Sequence, residues 1–103
     1  MILTGQKIIE SVNSGKISIS PFDEAMLNPN SYDYRIDRKL LEIDDLPVDP
    51  KKQTSYHEID FNDDGYVLSP NKTYLANTYE EIGSREFVPL LIGKTSLGRL
   101  GLF

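Results

Sequence analysis

The opening of the chain carries a helical period. Ile8, Ile9 and Val12 fall on one face of a 3.6-residue repeat, Thr4 stands where a capping hydroxyl belongs, and Gly15 stands where a helix stops. The pattern predicts a short helix over residues 4–14. It then switches to period two. In KISIS (16–20) apolar and polar positions alternate, which predicts a strand with Ile17 and Ile19 inward, ended by Pro21. NPNSYDYRI (28–36) opens with turn formers and runs into a strand, and KLLEI (39–43) continues the β pattern. Residues 44–64 are rich in Asp, Pro, Lys and Asn and poor in apolar side chains. They predict a long polar loop holding one short strand near Tyr56–Ile59. GYVLSP (65–70), TYLANTYE (73–80) and EFVPLLIG (86–93) predict three more strands, separated by turns at Pro70-Asn71 and Gly83-Ser84. No segment repeats. The fold class is mainly β with one N-terminal helix and strands from residue 16 onward.

Composition narrows the function classes. The 103 residues suit one small domain with a modest core. The formal net charge is −5, which argues against a general nucleic-acid binder, since such a protein carries a basic face. It leaves room for a local basic site that takes one phosphorylated ligand. The absence of cysteine excludes disulfides, thiolate catalysis and cysteine-ligated zinc. MILTGQKIIESV has no long apolar stretch of the secretory kind, and no apolar run is long enough to cross a membrane as a helix. The expectation is a cytoplasmic protein with neither a nucleic-acid nor a membrane partner.

Several motifs invite a chemical reading and fail it. GKT (93–95) resembles the tail of a phosphate-binding P-loop, but that motif needs a glycine five residues earlier, where Val88 stands, and a helix afterwards. DFNDDG (60–65) matches the first half of a calcium loop through Asp60, Asn62, Asp64 and Gly65. The twelfth position, where a bidentate glutamate is required, is Asn71. Asn71-Lys72-Thr73 fits a glycosylation acceptor by chance. His57, the one histidine, lies beside Glu58 in the polar loop and reads as a solvated side chain. The H-x-E and P-C-x-x-C signatures of zinc-dependent deaminases are missing. No metal held by protein ligands is expected.

Four segments taken together resemble one family. NPNSYDYRI resembles the P-x-S-x-D-[LV]-R signature of the dCTP deaminases. GYVLSPNKTYLANTYEEI, followed by VPLLIGKTSLGRLGL, resembles their central region, L-x-P-g, then f-L-A-x-T-x-E, then G-[RK]-[ST]-S-L-[AG]-R-L-G. LTGQKIIESVNSGKISISPFD resembles their opening. The resemblance holds in order and register over essentially the whole chain.

That resemblance implies a distorted β-barrel of the trimeric dUTPase type, here incomplete, and zinc-free conversion of dCTP to dUTP, which some members carry on to dUMP. It implies that Lys94, Thr95, Ser96 and Arg99 contact the nucleotide triphosphate, with Thr95 and Arg99 also at the deamination centre. Any Mg²⁺ would arrive on the triphosphate. The physical chemistry of the segment agrees, because a triphosphate needs cationic and hydroxyl donors gathered on a tight backbone. Lys94 stands where the family usually has arginine, which keeps the charge and loses the fork. Thr95 stands where it usually has serine. Asp33 and Arg35 resemble structural or interfacial positions, for which a buried Asp–Arg pair is the simplest form.

The family's general-base glutamate and its cytosine-reading groups follow the segment that matches residue 103. The chain is therefore expected to be inactive alone, with Leu90, Leu91, Ile92, Leu97, Leu100, Leu102 and Phe103 left for a second polypeptide or a homo-oligomer, the trimer foremost, to cover. Two other functions fit the same residues. One is a non-catalytic module that binds dCTP or dUTP as a sensor or sponge, and the other is an assembly protein that reuses the scaffold.

Overall fold

The computed structural model describes all 103 residues. Helix α1 (Gly5–Asn13) is capped by Thr4, whose hydroxyl accepts from the Lys7 N–H, and Gly15 follows it with φ +75°. Five strands come next: β1 (Ile17–Ser20), β2 (Ile36–Ile43), β3 (Tyr56–Asp60), β4 (Tyr74–Thr78) and β5 (Glu81–Ser84). A one-turn helix, α2 (Thr95–Gly98), lies near the end. The strands form two antiparallel sheets, β1 with β5 and β3-β2-β4, and neither closes into a barrel.

Helix α1 packs on β1, and together they bury Ile8 and Ile19. Strand β2 runs through the centre of the larger sheet, with Leu40 opposite Ile59 on one side and Ala76 on the other. Leu40 and Ile43 supply the rest of the buried apolar side chains. The core is small. The Cα radius of gyration is 16.5 Å, against about 13 Å for a compact domain of this length. All seven apolar side chains of residues 90–103 that were expected to need cover are exposed, Leu90 at 79% and Leu100 at 82%.

The contact that seats α1 yields a stability prediction. Gly5 donates its N–H to Pro29 O at 2.8 Å, and a Cβ on Gly5 would lie 2.9 Å from Asn28 O. Alanine is the better helix former by about 1 kcal/mol, but the clash acts on backbone that has no free direction in which to move. Gly5→Ala is therefore expected to lower stability by about 1–2 kcal/mol. A urea titration showing a raised midpoint would contradict this contact.

Several expectations need correction. Residues 65–70 and 86–93 are not strands, because neither segment has a partner and alternation alone does not build a ladder. The turn expected at Gly83-Ser84 is instead the end of β5. There Gly83 sits opposite Ser18 and Ile82 opposite Ile19, so pairing with β1 overrides the local turn signal. Of residues 28–36 only Ile36 is in a strand; the rest form a turn closed by the Leu27–Tyr32 bridge. Besides the N-terminal helix, a 3₁₀ turn (Glu24–Met26) and α2 are helical.

Candidate functional site

The best-buried side chain in the molecule is Glu80, at 1% exposure. It lies in the two-residue link between β4 and β5, where the chain passes from one sheet to the other. Its carboxylate accepts from the Arg35 backbone N–H at 2.9 Å and from Arg35 Nε at 2.8 Å. Arg35 O in turn accepts from the Tyr79 N–H at 2.8 Å, and the guanidinium rests 4.7 Å from the centre of the Tyr79 ring. The Thr78 hydroxyl donates to Glu80 O at 2.7 Å. Burial pushes the Glu80 carboxyl up, but the Arg35 N–H and guanidinium outweigh it and hold the group below the usual carboxylate range. The same hydrogen bond raises Arg35 further.

This arrangement corrects the pairing expected of Asp33 and Arg35. They do not pair with each other. Arg35 clamps Glu80, and Asp33 Oδ2 holds Lys94 Nζ at 2.6 Å while Asp33 Oδ1 accepts from Asn28 Nδ2 at 2.8 Å. Two residues apart on an extended chain, the side chains of Asp33 and Arg35 reach in different directions and find different partners. The Lys94 hydrogen bond holds the Asp33 carboxyl low, against partial burial, with help from Asn28.

The Lys94 contact moors the final segment to the turn at residues 28–33. Lys94 O accepts from both the Leu97 and Gly98 N–H groups, at 3.1 and 2.8 Å, and Thr95 O accepts from the Arg99 N–H at 3.1 Å. The turn closes through Gly101, whose φ of +92° lets the Leu102 N–H reach back to Leu97 O at 3.1 Å. One helical turn thus gathers Thr95, Ser96 and Arg99, since positions three and four apart are neighbours on a helix. Their side chains are exposed and make no hydrogen bond or ion pair within the chain. The site is a surface cluster, and surface recesses among residues 45–54 and between Met1 and Phe87 hold none of it.

The comparison with known proteins decides what this cluster belongs to. A family model described as dCTP deaminase-like matches residues 2–103. The chain belongs to the dCTP deaminase-like family. It is 41% identical over all its 103 residues to the dUMP-forming dCTP deaminase of Leptospira biflexa, and 41% identical to that of Hathewaya histolytica. It is 38% identical to a dCTP deaminase of Rhodopirellula baltica. The chain spans 59% of the length of the first two relatives and 52% of the third.

Within this family setting, two features lay outside the reach of the sequence reading. Glu80 stood in a T-x-E stretch noted as part of the family pattern, but only the fold shows that its carboxylate joins two sheets. His57 is not a solvated loop residue. It lies on β3 with Nδ1 2.7 Å from Asp44 Oδ1 and Nε2 3.2 Å from Glu42 Oε2. The signal available was Glu42-x-Asp44, two carboxylates on one strand face.

Proposed function

We propose that residues 93–103 form the phosphate-gripping part of a dCTP deaminase site, and that the protein containing them converts dCTP to dUMP. The observation that carries this reading is the collection of Thr95, Ser96 and Arg99 on one turn, with the guanidinium unpaired, beside Lys94. The named relatives support the choice of substrate and product. The reaction adds one water at C4 of the cytosine, with ammonia leaving, and a second water between the α and β phosphates, with pyrophosphate leaving. Mg²⁺ travels with the triphosphate rather than on protein ligands.

The deamination step needs a carboxylate able to take a proton from the attacking water near neutral pH. The carboxylate that the fold brings to this turn is Asp33, and its attachment to Lys94 makes it a weak base. The 103 residues therefore bind without turning over. Catalysis requires the remaining length that the relatives possess, whether on the same polypeptide or another. The exposed Leu90, Leu91, Ile92 and Leu100 support burial against that remainder or against further copies of the chain, in a trimer.

Calorimetry with dCTP, together with an assay for uridine nucleotides, tests the reading. The 103-residue chain is expected to bind dCTP and release no product, and a polypeptide extended to the relatives' length to release dUMP. Absence of dCTP binding by both would remove the proposal. Binding by both without product would favour the sensor or sponge. Lys94 must leave Asp33 to meet a phosphate, so Asp33→Asn is expected to tighten dCTP binding severalfold. An unchanged affinity would take Lys94 out of the phosphate contacts.

A further inference from the structure

A row of side chains crosses the larger sheet at its upper edge. Tyr74 of β4, Glu42 of β2 and His57 of β3 are directly opposite one another, so they project from the same face. Asp44, two residues beyond Glu42, continues that face and is reached by its N–H bond to Ser55 O at 2.9 Å. One atom from each of Glu42, Asp44 and His57 lies within 4.8 Å of the other two. Nothing in the proposed nucleotide chemistry uses this cluster.

Glu42 adds an independent sign of a missing ligand. The residue is 9% exposed, covered from the side of Tyr66 and Tyr74, whose rings meet edge-on at 6.1 Å. Tyr66 feels it, its hydroxyl being pushed up by burial, then by Tyr74 and by the Glu42 charge. Yet no backbone N–H or hydroxyl donates to the Glu42 carboxylate. Its one polar contact is His57 Nε2 at 3.2 Å. A nine-tenths-buried carboxylate without a hydrogen-bond donor of its own is an unusual arrangement, because buried charges are normally paired and hydrogen-bonded. By contrast Asp44 is oriented, its second oxygen accepting from the Ser55 hydroxyl at 3.3 Å. Orientation of a ligating carboxylate by a hydrogen bond is what metal sites require.

We propose that Glu42, Asp44 and His57 bind a divalent transition-metal ion, Zn²⁺ being the fitting probe. One imidazole nitrogen and two carboxylate oxygens match the donor preferences of zinc, with water completing a tetrahedron. Bonds of about 2.0–2.2 Å place tetrahedral ligands about 3.4 Å apart, so the cluster contracts modestly by side-chain rotation. Calcium is a poor fit, because it takes six or more oxygens. The ion would cancel two negative charges and cross-link β2 to β3. The site is separate from the turn at residues 93–103, and its occupancy does not depend on the nucleotide reading.

The test uses the full chain freed of metal by a chelator and titrated with ZnCl₂ by calorimetry. The expected result is one saturable Zn²⁺ per chain with a dissociation constant on the order of micromolar, and weakening of about tenfold or more in His57→Gln. The chain has no cysteine and no second histidine, so that variant removes every nitrogen and sulfur ligand of the preferred kinds. Asp44→Asn gives a second reading if His57→Gln does not fold, and the same weakening is expected. Shifts of the His57 ring protons on Zn²⁺ addition provide a direct readout. Lack of saturable binding, or binding that survives both substitutions, overturns the assignment.

Discussion

Glu80→Ala is expected to unfold far more readily than the parent chain. The substitution empties the best-buried position and leaves the Arg35 backbone N–H and guanidinium without their acceptor. Removing one partner of a fully buried pair costs about 3–5 kcal/mol. Because the Arg35 side chain is 42% exposed, water recovers part of the loss, and about 2–3 kcal/mol is the better expectation. For a domain of this size that lowers the melting temperature by on the order of 10 °C. Arg35→Ala is expected to be as harmful, since it strands the buried carboxylate. Thermal melts that superimpose on the parent's would show that the clamp does not hold the sheets together.

The same group sets an acid response. The folded Glu80 carboxyl titrates below its ordinary value of 4.5, so the folded state binds fewer protons there than the unfolded state. The stabilisation is present in full above that pH and is lost as the pH falls through the lower, folded value. Asp33 behaves alike from its ordinary value of 3.8, releasing the Lys94 mooring. Stability measured by urea midpoint is therefore expected to drop below pH 4.5, and Glu80→Gln is expected to flatten that drop. A flat parent profile between pH 3 and 5 would contradict the clamp.

Arg99→Ala carries the second large effect, and it is on binding. Arg99 makes no ion pair within the chain, so its removal is expected to leave the melting temperature unchanged. If the guanidinium forks onto phosphate oxygens, losing it weakens dCTP binding by about 10- to 100-fold. Arg99→Lys is expected to fall between, because a lysine keeps the charge without the paired donors. Equal affinity in all three proteins would sink the phosphate role, and a collapse of the melting temperature would mark Arg99 as structural.

Much of the local structure was legible in the sequence. Helix α1, its Thr4 cap and its Gly15 stop followed from periodicity and capping chemistry, which act between residues a few positions apart. So did β1, the strand over Tyr56–Asp60 inside the polar loop, and β4. The family pattern was legible as well, since it lies in order along the chain. Segments whose state depends on distant partners were read less well. GYVLSP and EFVPLLIG alternate as strands do, yet no neighbour offers a ladder, whereas EIGS looks like a turn and pairs with β1.

The amino-acid sequence by itself determined the family, the mainly β class and the gathering of Lys94, Thr95, Ser96 and Arg99 within six residues. These are properties of adjacent positions and their order. Only the tertiary structure decided which charges meet: Arg35 with Glu80 across 45 residues, Asp33 with Lys94 across 61, and His57 with Glu42 and Asp44 across a sheet. Ion pairing depends on distance in space and on burial, and neither is encoded in any single stretch of chain.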